Sequence, residues 1–165
     1  MQLCSLEAVH GRGYIHRDIK PDNFMVGVGN VIYLIDFGLA QSFRDPTTRN
    51  HILPTTGHSL VGTIHYTSIN SHFGLQQSRR DDLESFAYTL VFLLNGKLPW
   101  QGIPLPHRTD RRVAVRRRKE ELCKQNCNLI PSTLTTFLRH TRSLIFKEQP
   151  DYIYLHNLLQ KLPDQ

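Results

Sequence analysis

The sequence has few cysteines, no long apolar run and no internal repeat. Its three cysteines, Cys4, Cys123 and Cys127, are too sparse and odd in number for a disulfide framework. A reducing intracellular setting, cytoplasm or nucleus, is therefore expected. Cys123 and Cys127 form a C-x-x-x-C pair with no second half, and His51, His58, His65 and His107 stand in no metal-ligand spacing, so no structural metal is expected. The longest apolar stretch, Phe86 to Leu94, falls far short of the roughly 20 residues that a membrane-spanning helix needs. Met1 to Glu7 carries neither a basic nor an apolar leader segment, so no signal peptide and no membrane association are expected. What remains is 165 residues with 39% hydrophobic and 21% charged side chains, the composition of one globular domain. Its 20 Lys and Arg against 14 Asp and Glu leave a net charge of +6, which would attract an anionic ligand or substrate.

Leu3, Leu6 and Val9 fall close to one helical face, and Gly11 and Gly13 stop that helix. Phe24 to Val26 and Val31 to Ile35 are short apolar runs around a Gly-containing turn, which predicts a β-hairpin. From Asp36 to about Asn70, Gly, Pro, Ser and Thr replace periodicity, so a long functional loop is expected. Residues 81–95 open acidic and become apolar almost all round, the pattern of a helix buried in the middle of a domain. Gly96 ends it. Helices are also predicted over 113–127, with a heavily basic face, and over 131–145 and 151–161. The fold class is mainly α with one small β-hairpin.

Two motifs carry chemistry. His16-Arg17-Asp18-Ile19-Lys20-Pro21-Asp22-Asn23 is followed, after the hairpin, by Asp36-Phe37-Gly38. In this order and context they resemble the catalytic loop and metal-binding motif of protein kinases. The resemblance implies Asp18 as the carboxylate that accepts or orients the substrate hydroxyl proton. It implies Lys20 against the transferring phosphoryl group of ATP, with Asn23 and Asp36 as oxygen ligands to Mg2+. A Lys two residues after the Asp is the pattern of Ser/Thr kinases, and Thr63 matches the threonine that hydrogen-bonds the Asp–Lys pair. Arg17 is implied as structural.

A narrower likeness follows. Ser68-Ile69-Asn70 stands where most kinases have Ala-Pro-Glu, and Gln77 to Ser85, Leu98-Pro99-Trp100-Gln101-Gly102 and Pro150-Asp151-Tyr152 follow it. These are similar to the casein kinase I family, and the likeness runs from about residue 5 to 160. It implies Asp82 as the brace of the catalytic-loop backbone and Trp100 as a packing anchor. It also implies an anion site for acidic or phosphorylated protein substrates at His65 and Arg111. His65 replaces the family's arginine, which would weaken anion binding and make it pH-sensitive. Thr47, Thr48, Thr55, Thr56 and Ser59 offer hydroxyls in the long loop, and nothing in the sequence marks any as phosphorylated.

Arg108, Arg111, Arg112, Arg116, Arg117, Arg118 and Lys119 form a dense basic run. It reads as the flank of the anion site, as a nuclear-localisation or nucleic-acid patch, or as a solvated helix face. Aromatic interleaving for single-strand binding is absent, which counts against nucleic acid. No Gly-x-Gly-x-x-Gly, strand lysine or helix glutamate precedes His16. The expectation is therefore a partial kinase domain over 1–163, the C-terminal large lobe of the α+β kinase fold with the N-terminal lobe absent and the chain alone inactive. The alternative is a non-catalytic lobe serving as a binding module or decoy. The sequence says nothing of oligomeric state.

Overall fold

The computed structural model describes residues 2–102, 110–124 and 130–162. His107, Arg108, Cys127, the Cys123 side chain and both ends of the 1–163 span lie outside the described residues. Six helices carry the fold: α1 (Gln2–Gly11), α2 (Ile69–His72), α3 (Arg79–Asn95), α4 (Arg111–Lys124), α5 (Ser132–Ser143) and α6 (Tyr152–Leu159). Four short strands, β1 (Tyr14–Ile15), β2 (Phe24–Val26), β3 (Ile32–Leu34) and β4 (Gln41–Ser42), form two antiparallel pairs. No helix among the described residues is long and apolar enough to cross a membrane.

α3 is the centre of the molecule. The Ser78 N–H donates to Asp81 Oδ2 at 2.7 Å, tying off a donor at its first turn. Gly96 closes the other end at φ 69°, a left-handed conformation in which an L side chain is strained. Phe86 on α3 lies 6.1 Å from Phe137 on α5 and 6.3 Å from Phe24 on β2, so one ring joins the helical core to the hairpin. α3 buries Phe86, Ala87, Tyr88 and Val91, as its apolar pattern predicts. Its charged N-terminal half, including Asp81, Asp82 and Glu84, is buried, while Leu93 near its apolar end is half exposed. The acidic groups are tolerated inside because they accept hydrogen bonds from neighbouring loops.

The hairpin forms as expected, with Phe24 opposite Leu34 and Val26 opposite Ile32. The β1–β4 pair was not expected, because two-residue strands leave no periodic pattern. It brings Tyr14 opposite Ser42 and so ties the approach to the catalytic loop to the segment after Asp36-Phe37-Gly38. The long loop is ordered around Phe43, which is 1% exposed. Arg79 lies over its ring at 4.6 Å, and the Ile52 N–H donates to its carbonyl at 2.9 Å.

Candidate active site

The loop after β1 is held from below by one carboxylate. Asp82 Oδ2 accepts from the His16 N–H at 2.7 Å and Oδ1 from the Arg17 N–H at 2.8 Å. Asp82 is 1% exposed and also accepts from His10 Nε2 at 2.9 Å, while Tyr152 of α6 meets His10 Nδ1 at 2.5 Å. Arg17 takes φ 69°, unusual for a residue with a Cβ. Its guanidinium donates to the Leu39 carbonyl at 2.6 Å and to Gln41 Oε1 at 2.7 Å. The strained residue thus joins the two motif loops. His16 adds a bond to the Ile35 carbonyl at 2.9 Å and an edge contact with Phe37 at 5.0 Å.

The turn places Asp18 among four groups. Lys20 Nζ donates to Oδ2 at 2.7 Å, and the Thr63 N–H and hydroxyl both donate to Oδ1, at 2.9 and 2.8 Å. Lys20 Nζ also reaches Thr63 Oγ1 at 3.3 Å. The buried Asn23 donates its amide to the Asp18 carbonyl at 2.7 Å. Burial pushes the Asp18 carboxyl up, but the bonds from Lys20 and Thr63 outweigh it and hold it below the ordinary carboxylate value. The bond to Asp18, with the charges of Asp18, Asp22 and Asp36, raises Lys20 against its own desolvation. Asp36 is exposed on the same side at φ 62°, its Oδ1 accepting from the Gly38 N–H at 3.2 Å.

Gly62 lets the two loops meet. It has φ +92°, and a Cβ there would stand 2.4 Å from the Arg17 carbonyl oxygen. Farther along, Trp100 is buried and donates Nε1–H to the His65 carbonyl at 2.9 Å. Arg111 is exposed at the start of α4 and lies near enough to His65 to act on its titration. Burial, then the charges of Lys119 and Arg111, hold the His65 imidazole below its ordinary pKa.

The basic run is divided by the fold. Arg111, Arg112, Arg117 and Arg118 are exposed, Arg118 within 3.2 Å of Glu121, and Arg116 lies over Phe73 at 4.4 Å. Lys119 does not belong to the surface: its side chain is fully buried. The run had one signal for this, since Lys119 shares the apolar stripe of Val115 and Leu122. His10, Tyr152 and the Glu84–Arg142 ion pair at 3.0 Å were also missed. The His10–Tyr152, His10–Asp82 and Glu84–Arg142 contacts each join residues 58 or more positions apart, and no local pattern encodes them.

Two polar loops, one with Asp36 and one with the Asp18–Lys20 pair, are thus held on a buried helical frame. The protein kinase domain model matches residues 2–150, and the chain belongs to that family. Protein kinases use ATP with a divalent metal. Among the described residues no group of three or more His, Cys, Asp or Glu could hold a metal by itself. A hard cation that binds mainly phosphate oxygens needs only one or two protein ligands, and a donor set of one amide and one carboxylate fits that chemistry.

Proposed function

We propose that the chain is the catalytic large lobe, over 1–163, of a serine/threonine protein kinase of casein kinase I type. Its substrates are Ser or Thr hydroxyls in acidic or already phosphorylated proteins inside the cell. The observation that carries the reading is the Asp18–Lys20–Thr63 cluster. A carboxylate held low stays ionised at neutral pH and can orient a hydroxyl for in-line attack. Lys20 places its ammonium toward the transferring phosphoryl group, and Asn23 and Asp36 would hold Mg2+. When bound, that cation neutralises charge developing on the phosphate oxygens. His65 and Arg111 bind the substrate's anion, with Trp100 fixing the His65 backbone.

The lobe reading is also supported by an uncovered apolar face. Met25 and the Tyr33 opposite it share one face of the hairpin and are about half exposed, and Val28 in its turn is 98% exposed. A patch of that kind marks a surface made to be covered. The test joins this chain to a kinase small lobe carrying the Gly-rich loop, strand lysine and helix glutamate. The joined protein should transfer phosphate from Mg-ATP to an acidic peptide, and Asp18→Asn should abolish transfer. Transfer persisting in that variant excludes Asp18 as the hydroxyl-orienting group. Asp36→Asn should remove metal-dependent nucleotide binding. A wild-type joined protein that binds the peptide and transfers nothing would favour the binding-module reading.

A further inference from the structure

Lys119 is a buried charge that the chemistry above does not use. Its side chain has no exposed surface, and desolvation lowers its pKa well below the ordinary lysine value. An ammonium is tolerated inside a protein only when its donors are matched. Here each of the three N–H groups has an acceptor: the Ile64 carbonyl at 3.0 Å, the Thr67 carbonyl at 2.6 Å and His72 Nε2 at 3.2 Å. The rings of Tyr88 and Trp100 stand 4.9 and 5.3 Å from Nζ. Burial and the cationic neighbours Lys119 and Arg116 keep His72 neutral, its pKa down to about 3, so it serves as an acceptor.

The two carbonyls belong to one segment, residues 62–68, which begins beside Asp18 and runs past His65 to α2. Thr63 at its start makes both bonds to Asp18 Oδ1. Trp100 holds the His65 carbonyl between the two that Lys119 holds. The Thr63 carbonyl turns back to the Tyr66 N–H at 2.8 Å, so a shift at Ile64 or Thr67 is transmitted to Thr63. Without the ammonium, the buried Thr67 carbonyl and the partly buried Ile64 carbonyl lose this donor.

We infer that Lys119 is a positioning residue: it clamps residues 62–68 so that Thr63 meets Asp18 and His65 is presented to the polypeptide substrate. The functional part rests on the kinase reading of Asp18 and Thr63, whereas the clamp itself does not. Lys119 touches neither Asp18 nor Asp36, so its removal should act on peptide use and spare nucleotide affinity.

The test is Lys119→Met in the protein joined to a small lobe, since methionine keeps the unbranched stem and removes all three donors. Amide hydrogen exchange over 62–68 should rise about tenfold or more while α3 and α5 keep their protection. The KM for an acidic peptide should rise about tenfold, with the KM for ATP within about twofold of wild type. Combining Lys119→Met with Thr63→Val should give a loss well short of the product of the two single losses. Unchanged exchange at 62–68, exchange raised equally throughout the chain, or equal changes in both KM values would overturn the inference. The exchange arm reads the clamp even if the joined protein transfers no phosphate, which separates this failure from that of the kinase reading. Should Lys119→Met not fold, 15N-lysine spectra of the wild type decide. A protected ammonium assigned to Lys119 supports the clamp, and fast water exchange at every lysine refutes it.

Discussion

Replacing Asp82 with asparagine probes the frame under the catalytic loop by changing one atom. The carboxylate accepts from three donors: His10 Nε2 and the His16 N–H at Oδ2, and the Arg17 N–H at Oδ1. An amide has one acceptor oxygen, so its NH2 must face donors on one side. The less damaging orientation keeps the oxygen toward His10 and His16 and turns NH2 against the Arg17 N–H. One buried bond is then lost with its donor unmatched, about 1–3 kcal/mol. Two charge-assisted bonds become neutral ones, at about half their strength, adding roughly 1–2 kcal/mol. Arg17 at φ 69° also loses the contact that holds its strained backbone. Asp82→Asn should therefore destabilise the fold by about 3 kcal/mol, read as a lower urea midpoint at unchanged slope. Exchange of the His16 and Arg17 amides should accelerate most. A midpoint shift worth less than about 1 kcal/mol, with both amides still protected, would refute the claim that this carboxylate holds the loop.

Gly62→Ala puts a Cβ 2.4 Å from the Arg17 carbonyl at φ +92°, so the segment must withdraw and the Thr63–Asp18 bonds break. Phosphate transfer by the joined protein should fall about a hundredfold, whereas Gly96→Ala, with nothing near its Cβ, should lose about 1 kcal/mol of stability and keep activity. His65→Arg should lower the KM for an acidic peptide about fivefold at pH 7 and abolish the wild-type gain below pH 6.5; equal KM values would remove His65 from the anion site. His72 has a folded pKa of about 3 against 6.5 when free, so its contribution is whole above pH 6.5 and is lost as pH falls toward 3. Asp81, raised by burial from 3.8 to about 6, works the opposite way between those values. The difference in urea midpoint between wild type and His72→Gln should therefore change across pH 6.5 to 3, and a constant difference would contradict the buried neutral imidazole.

The hairpin, the central helix and the loop between them were legible because each follows a local rule. Short apolar runs around a Gly-containing turn gave β2 and β3, and an acidic start before an apolar run gave α3. The Asp18, Lys20, Asn23 and Asp36 cluster was legible through two compact motifs whose residues lie within one turn or one loop. What no local rule showed along α3 was that its acidic start is buried too. Hydropathy accounts for Phe86, Ala87, Tyr88 and Val91 inside, but Asp81, Asp82 and Glu84 are buried with them because other parts of the chain supply donors that they accept from.

Local composition and spacing by themselves determined that the chain is mainly helical, and two short motifs carried its resemblance to the protein kinase family. Only the tertiary structure decided that Lys119, which the spacing sets on the stripe of Val115 and Leu122, could be buried there with its charge. Arg118 and Lys119 are neighbours in sequence, but a rotation of about 100° per helical residue sends one to water and the other beneath residues 62–68. Whether a charge can live in that interior depends on acceptors 52 and 55 residues away, and chain folding alone brings them together.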